Sequence, residues 1–208
     1  GTTSLYTNTT GDRNTAVGNG TLYSNTTGSD NTAVGHFSLC KNTTGLSNVS
    51  VGSNSMFSNV TGQQNVAVGM NALDNANNSY NVAVGVRALT DATGPYNTAL
   101  GNRSGSLISS GEYNTTLGHK SGDNITSGSG NVVIGDVDVA SATGDRQLVI
   151  AGYDGSTTTT WISGDNSGNL TFAGTVGSGA ITSTGAIQGT NITATTAFVP
   201  DAANGASL

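Results

Sequence analysis

One short phrase constrains this chain more than any other feature: Asn-Thr-Ala-Val-Gly, complete at Asn14 and at Asn31 and varied thereafter. Its leading residue recurs as Asn14, Asn31, Asn48, Asn65, Asn81, Asn97, Asn114 and Asn131, always 16 or 17 residues apart, and Gln147 takes the next place in the series. A unit this short cannot bury an apolar face alone. Copies must stack, and a stack of such units is a solenoid.

Each copy has the same internal order. The third residue after Asn is aliphatic (Val17, Val34, Val51, Val68, Val84, Leu100, Leu117, Ile134), and the residue before it is small except at Val133. That alternation predicts a short strand, closed by a turn glycine at Gly18, Gly35, Gly52, Gly69, Gly85, Gly101, Gly118 and Gly135. Leu22, Leu39, Met56, Leu73 and Leu89 follow four residues later and predict a second apolar strand position, which the pattern loses at Gly105 and Gly122. Loops such as SNTTGSD return the chain to the next Asn. Seventeen residues at ~3.3 Å each span roughly 56 Å, enough for two short strands and two turns.

In such a stack each motif Asn lies above its equivalent, and the side chains are expected to form an amide ladder along the axis. The Val or Thr, the Val and the Leu of each copy are expected to turn inward. That leaves a face of Ala, Ser and Thr suited to close packing on another copy of the chain. The expected architecture is therefore all-β: a parallel β-roll or solenoid over residues 1–152, intertwined as an obligate homo-oligomer, most simply a homotrimer about a fibre axis.

Composition narrows the function. Charged residues make up 9% of the 208, where about 25% is usual, and the formal net charge is −6. Nothing here reads as a basic patch for phosphates, which argues against nucleic acid as a partner. No run of about 18 apolar residues predicts membrane insertion. The N-terminus lacks the order of a secretory leader, and because the chain opens on Gly1 rather than Met that absence has no bearing on localisation. Cys40 is the single cysteine, so neither an intrachain disulfide framework nor a Cys-based zinc cage is expected.

After about residue 152 the period fails. Residues 153–208 are rich in Gly, Ser and Thr, with β-rich pieces expected at 157–162, 169–173, 180–184, 186–188 and 191–195.

The phrases NTAVGNGT, NTAVGHFS, NVSVGSNS, NVAVGMNA, NVAVGVRA, NTALGNRS and NTTLGHKS, over roughly residues 4–135, resemble the Asn-Ser-Val-Ala-Ile-Gly repeat of trimeric autotransporter adhesin heads, the YadA-like left-handed parallel β-roll. With their LYSNTTG-type loops they also resemble repeats of bacteriophage tail fibres, and residues 153–208 are similar in composition to the interwoven β-stalk of such fibres. The period here is longer than in the adhesin heads. The resemblance implies trimerisation and surface attachment: a structural and adhesive segment of a virion tail fibre, partnered by other fibre or virion proteins and by a host cell-surface glycan or protein. A bacterial trimeric surface adhesin or extracellular filament is the alternative.

Chemistry is sparse. His36 and His119 occupy the same place after a turn glycine, which reads as an exposed loop position rather than a catalytic one. Asp136 and Asp138 are the only close carboxylate pair of the repeat region; they fit either a Ca²⁺ or acid/base pair or, as favoured here, a solvated end of the roll. The expectation is a non-enzymatic protein without cofactor or metal. A polysaccharide-cleaving tailspike is disfavoured by the few carboxylates, and an ice-binding solenoid by the broken Thr series Thr15, Thr32, Val49, Val66, Val82. Tyr23, His36, Phe37 and Phe57, where aromatics interrupt a polar surface, are the candidate receptor contacts. Tyr80, Tyr96 and Tyr113 each precede a motif Asn and are expected to stack along the rod.

Overall fold

The computed structural model describes residues 1–174. Within them the chain forms one sheet of eleven strands whose spatial order is their sequence order. Strands β1 (Thr15–Val17), β2 (Thr32–Val34), β3 (Val49–Val51), β4 (Val66–Val68), β5 (Val82–Val84), β6 (Thr98–Leu100), β7 (Thr115–Leu117), β8 (Val132–Ile134) and β9 (Leu148–Tyr153) are parallel. Each contributes one rung of a solenoid, as the repeat predicts. The register is strict, Thr15 beside Thr32 and Ala16 beside Ala33, and it continues unshifted to Ile134 beside Ile150.

Two expectations fail inside the coil. No second strand forms among the described repeats. The residues after each turn glycine alternate in handedness, with Phe37 at φ 53° and Leu39 at φ 53°, so this wall is a run of turns. It still bonds from coil to coil: Phe37 N–H donates to Asn19 O (2.9 Å) and Leu39 N–H to Ser55 O (2.9 Å).

The inward and outward faces are also reversed. The small residue of each strand points inward, as at Ala33, Ser50, Ala67, Ala83 and Ala99, each fully buried. Its Val, Thr or Leu neighbours on either side point outward. The interior is narrow because Leu22, Leu39, Met56, Leu73 and Leu89 already fill it from the opposite wall. Only a small side chain fits across from them. The expected small-residue outer face therefore does not exist, and the sheet presents an aliphatic one.

At Gly105 and Gly122 the lost Leu is replaced three residues later by Ile108 and Ile125, both fully buried. A Cβ on Gly105 would come within 2.9 Å of Ile108 Cδ1 and 3.1 Å of Leu89 Cδ2. The Ile occupies the space the Leu vacates, and the register is preserved.

Parallel stacking ends at β9. Strand β10 (Thr158–Gly164) pairs antiparallel with β9, with an irregularity between Thr160 and Ile162, and β11 (Leu170–Phe172) pairs antiparallel with β10. The sheet thus runs on past residue 152, and its change from parallel to antiparallel coincides with the loss of the repeat. The pieces expected at 180–184, 186–188 and 191–195 lie outside the described residues.

Candidate interaction surfaces and the ladders that build them

The motif Asn residues form a ladder in which each rung completes the next. Asn31 N–H donates to Asn14 Oδ1 (3.0 Å), Asn48 N–H to Asn31 Oδ1 (3.0 Å) and Asn65 N–H to Asn48 Oδ1 (3.0 Å). The same link runs through Asn81, Asn97, Asn114 and Asn131 to Gln147, whose N–H reaches Asn131 Oδ1 at 2.8 Å. The amide nitrogens make further bonds: Asn31 Nδ2 donates to Asn14 Oδ1 (3.2 Å) and Gly45 O (2.9 Å), and Asn48 Nδ2 to Asn31 Oδ1 (3.1 Å) and Gly62 O (2.9 Å). Asn supplies the acceptor and the donor at once, and the buried groups are satisfied without water.

The turn glycines stack directly. A Cβ on Gly35 would lie 2.5 Å from Gly52 O, and its φ of 131° lies where side chains are rarely tolerated.

Sequence reasoning missed a second ladder. Asn25 Nδ2 donates to Asn8 Oδ1 (2.7 Å), Asn42 Nδ2 to Asn25 Oδ1 (2.9 Å) and Asn59 Nδ2 to Asn42 Oδ1 (2.9 Å). It ends where Ala76 takes the next position, leaving Asn59 Oδ1 buried without a partner. Its signal was the Asn of the NTTG loops, which recurs at the coil period.

The candidate receptor contacts fall into two groups. Tyr23, 36% exposed, stacks on Tyr6 with ring centroids 5.2 Å apart and planes 7° from parallel. His36, Phe37 and Phe57 come together, with centroids 4.0 Å apart for His36 and Phe37 and 6.2 Å for Phe37 and Phe57. Lys41 Nζ lies 4.7 Å above the Phe57 ring, and Phe37 lies against Gly20, where a Cβ would collide with its ring. Much of the aromatic surface is thus spent on neighbours. Tyr80, Tyr96 and Tyr113 stack at 5.0 and 4.7 Å along the rod.

At the far end of the parallel stack His119 Nδ1 lies 2.7 Å from Asp136 Oδ2. Asp138 accepts from Asn124 N–H (3.2 Å). Burial, then the charge of Asp123, raises its carboxyl above the usual range. Asp136, Asp138, Asp123 and Lys120 line an open cavity of about 490 Å³. Among the described residues no three His, Cys, Asp or Glu side chains converge as metal ligands. Cys40 is half-buried, and burial raises its thiol pKa, away from the reactive thiolate.

A further surface is the sheet face. On β1 to β9 the outward columns hold only Val, Thr, Leu or Ile at the paired positions, from Thr15 and Val17 to Leu148 and Ile150. Val17 is 55% exposed, Leu100 47% and Leu117 42%. The hairpin extends this face, because Ile162 lies beside Ile150 and Phe172 beside Ile162. Trp161, 55% exposed, covers Gly152. Comparison of the chain with known protein families, with curated proteins and with solved structures returns no match.

Proposed function

We propose that the chain is a structural and adhesive segment of a trimeric phage tail fibre, placed outside the cell and supporting attachment to a host receptor. One observation carries the reading: the sheet face is aliphatic or Thr over β1 to β9 and runs on through Ile162 and Phe172 of the hairpin, without a charged residue in its outward columns. Contiguous apolar surface on this scale marks an interaction site. A stripe only two outward side chains wide on each strand and many coils long fits a partner of the same length and period, which is another copy of the chain. Three copies turning this face to a common axis would each cover it against two neighbours, and the resemblance to trimeric repeat proteins supports three as the number. The turns, with the His36, Phe37 and Phe57 group, would then face outward as receptor contact. The same quoted repeats support a bacterial trimeric surface adhesin as the second reading; a coiled-coil stalk and membrane anchor encoded downstream would decide for it.

The test is the absolute mass of the purified protein by multi-angle light scattering, with its frictional shape from sedimentation. An elongated trimer is the expected result. A compact monomer would overturn the proposal, and a monomer that also showed thermal hysteresis would move the Thr and Val face to an ice-binding role.

A further inference from the structure

The chain has only six Lys and Arg residues against twelve Asp and Glu, yet three of the six stand in one file. The file is the position two residues after the turn glycine, occupied in successive coils by Gly20, Phe37, Asn54, Asn71, Arg87, Arg103 and Lys120. Axial hydrogen bonds fix the stacking: Arg87 N–H donates to Met70 O, Arg103 N–H to Val86 O and Lys120 N–H to Asn102 O, each at 2.9 Å. All three residues are exposed. Their backbones share one left-handed conformation, with φ of 59°, 57° and 50°. Parallel coils stand about 4.8 Å apart, so three positive charges span roughly 10 Å along the rod.

Stacked like charges repel. Among the described residues no carboxylate comes within ion-pair distance of any of the three. Asp91 borders the same open cavity of about 260 Å³ as Arg87 and Arg103 but is held by Asn75 Nδ2 at 2.7 Å. Asp123, Asp136 and Asp138 line a second cavity with Lys120; of these Asp136 is engaged by His119 and Asp138 accepts from Asn124 N–H. Hydroxyl and amide groups of Asn71, Thr90 and Ser106 line the cavity beside the two arginines. A file of evenly spaced cations with flanking hydrogen-bond groups matches a linear polymer that carries one acid group and several hydroxyls per repeat. No Phe, Tyr or Trp occupies these three positions to stack a base, as single-stranded nucleic acid binding requires, and the His119 imidazole beside Lys120 is held by Asp136.

We infer that Arg87, Arg103 and Lys120 form a binding stripe for a linear acidic polysaccharide, one carboxylate per coil. The inference rests on the reading of the chain as an exposed attachment segment, and it names the chemistry of the surface that segment would meet.

The experiment measures binding of fluorescently labelled oligogalacturonate to the whole protein by anisotropy, beside its fully methyl-esterified form and an oligothymidylate of similar length. The acid form is expected to bind and the ester not. Binding should fall away at about 1 M salt, where charges are screened beyond about 3 Å. The variant carrying Arg87→Asn, Arg103→Asn and Lys120→Asn uses the residue that Asn54 and Asn71 already place at this position with φ of 54° and 56°, so the coil tolerates it. It should bind at least about tenfold more weakly, a loss of about 1.4 kcal/mol. Equal binding of acid and ester, an unchanged affinity in the variant, or tighter binding of the oligothymidylate would each overturn the inference. Mass measured on the same preparation separates the two readings: a trimer that ignores the polyuronate removes only the stripe, and a monomer that binds it removes only the fibre.

Discussion

At the residue scale the coil depends on side chains that finish hydrogen bonds its backbone cannot. Asn65 accepts from Asn81 N–H (2.9 Å) and donates to Asn48 Oδ1 (3.1 Å) and Asn78 O (2.7 Å). Replacing it by Ala strands buried groups on both neighbouring coils, each at about 1–3 kcal/mol, and thermal unfolding should show a large loss. The reverse holds at the end of the second ladder. Ala76→Asn offers a donor to the orphaned Asn59 Oδ1 and should stabilise by about 1 kcal/mol, read as a higher unfolding midpoint. A lower midpoint would mean that the shortened loop after residue 76 has no room for the amide. The first ladder was legible in the sequence because its Asn sits at a fixed step before an alternating apolar strand. The second is as periodic, but Asn in an NTTG loop reads equally well as turn chemistry, and only the stacked coils show that its side chain points inward. Asn77 was invisible for another reason. In the 16-residue repeat its Oδ1 accepts from Val60 N–H and Thr61 N–H, both at 2.9 Å, where the preceding coil uses the backbone carbonyl of Val60 for Thr43 and Thr44.

At the scale of the element, Leu and Ile trade places within one cavity. The fifth coil carries Leu89 with Ala92 and the sixth carries Gly105 with Ile108. Gly105→Leu alone should overpack against Ile108, and Ile108→Ala alone should leave a void worth about 2–5 kcal/mol. Together they reproduce the fifth coil. A double-mutant cycle in denaturant should therefore show a favourable coupling of about 1–3 kcal/mol, and additive losses would show that the sixth coil packs by other rules. The existence of the strands was legible from alternation, but alternation gives parity only. Which parity lies inside is decided by the opposite wall, where Leu39 at φ 53° reaches across a narrow interior and leaves room for Ala33 but not Val34. The hairpin turns carry a pH dependence. Asp154 accepts from Thr157 N–H (2.8 Å) and Ser156 N–H (2.9 Å), and Asp165 from Asn169 Nδ2 (2.8 Å) and Asn169 N–H (3.0 Å). These bonds hold both carboxyls below the usual range. A depressed carboxyl contributes stability that is present above its unfolded pKa, about 3.9, and is lost as pH falls through the folded one. Amide resonances of Ser156, Thr157, Ser167 and Asn169 should shift together below that value, and Asp154→Asn should abolish the shift at the first pair alone.

At the scale of the whole molecule, a solenoid's stability is the sum of its coils and their interfaces, so whatever covers the sheet face acts on all of them at once. Val49 and Val82, each 37% exposed, lie in one outward column, and neither makes a side-chain contact that the coil's own hydrogen bonds need. Val86, 36% exposed, stands on the wall of turns instead. The net charge of −6 concealed the file of cations on that same wall, because a sum over the sequence does not record that 16- and 17-residue steps place Arg87, Arg103 and Lys120 on one line. The sheet face was concealed differently: Val and Thr read as core until the interior proves too narrow to hold them. If the face packs on other copies, Val49→Lys with Val82→Lys buries unpaired charge between them, whereas Val86→Lys places its charge in water. The double variant should then have the mass of the single chain or a lower unfolding midpoint, and its midpoint should lose the dependence on protein concentration that an oligomer shows. Val86→Lys should keep the parent mass and midpoint. Identical behaviour of the two variants would mean that the sheet face has no partner, and the aliphatic columns would then need a different explanation from the one the fibre supplies.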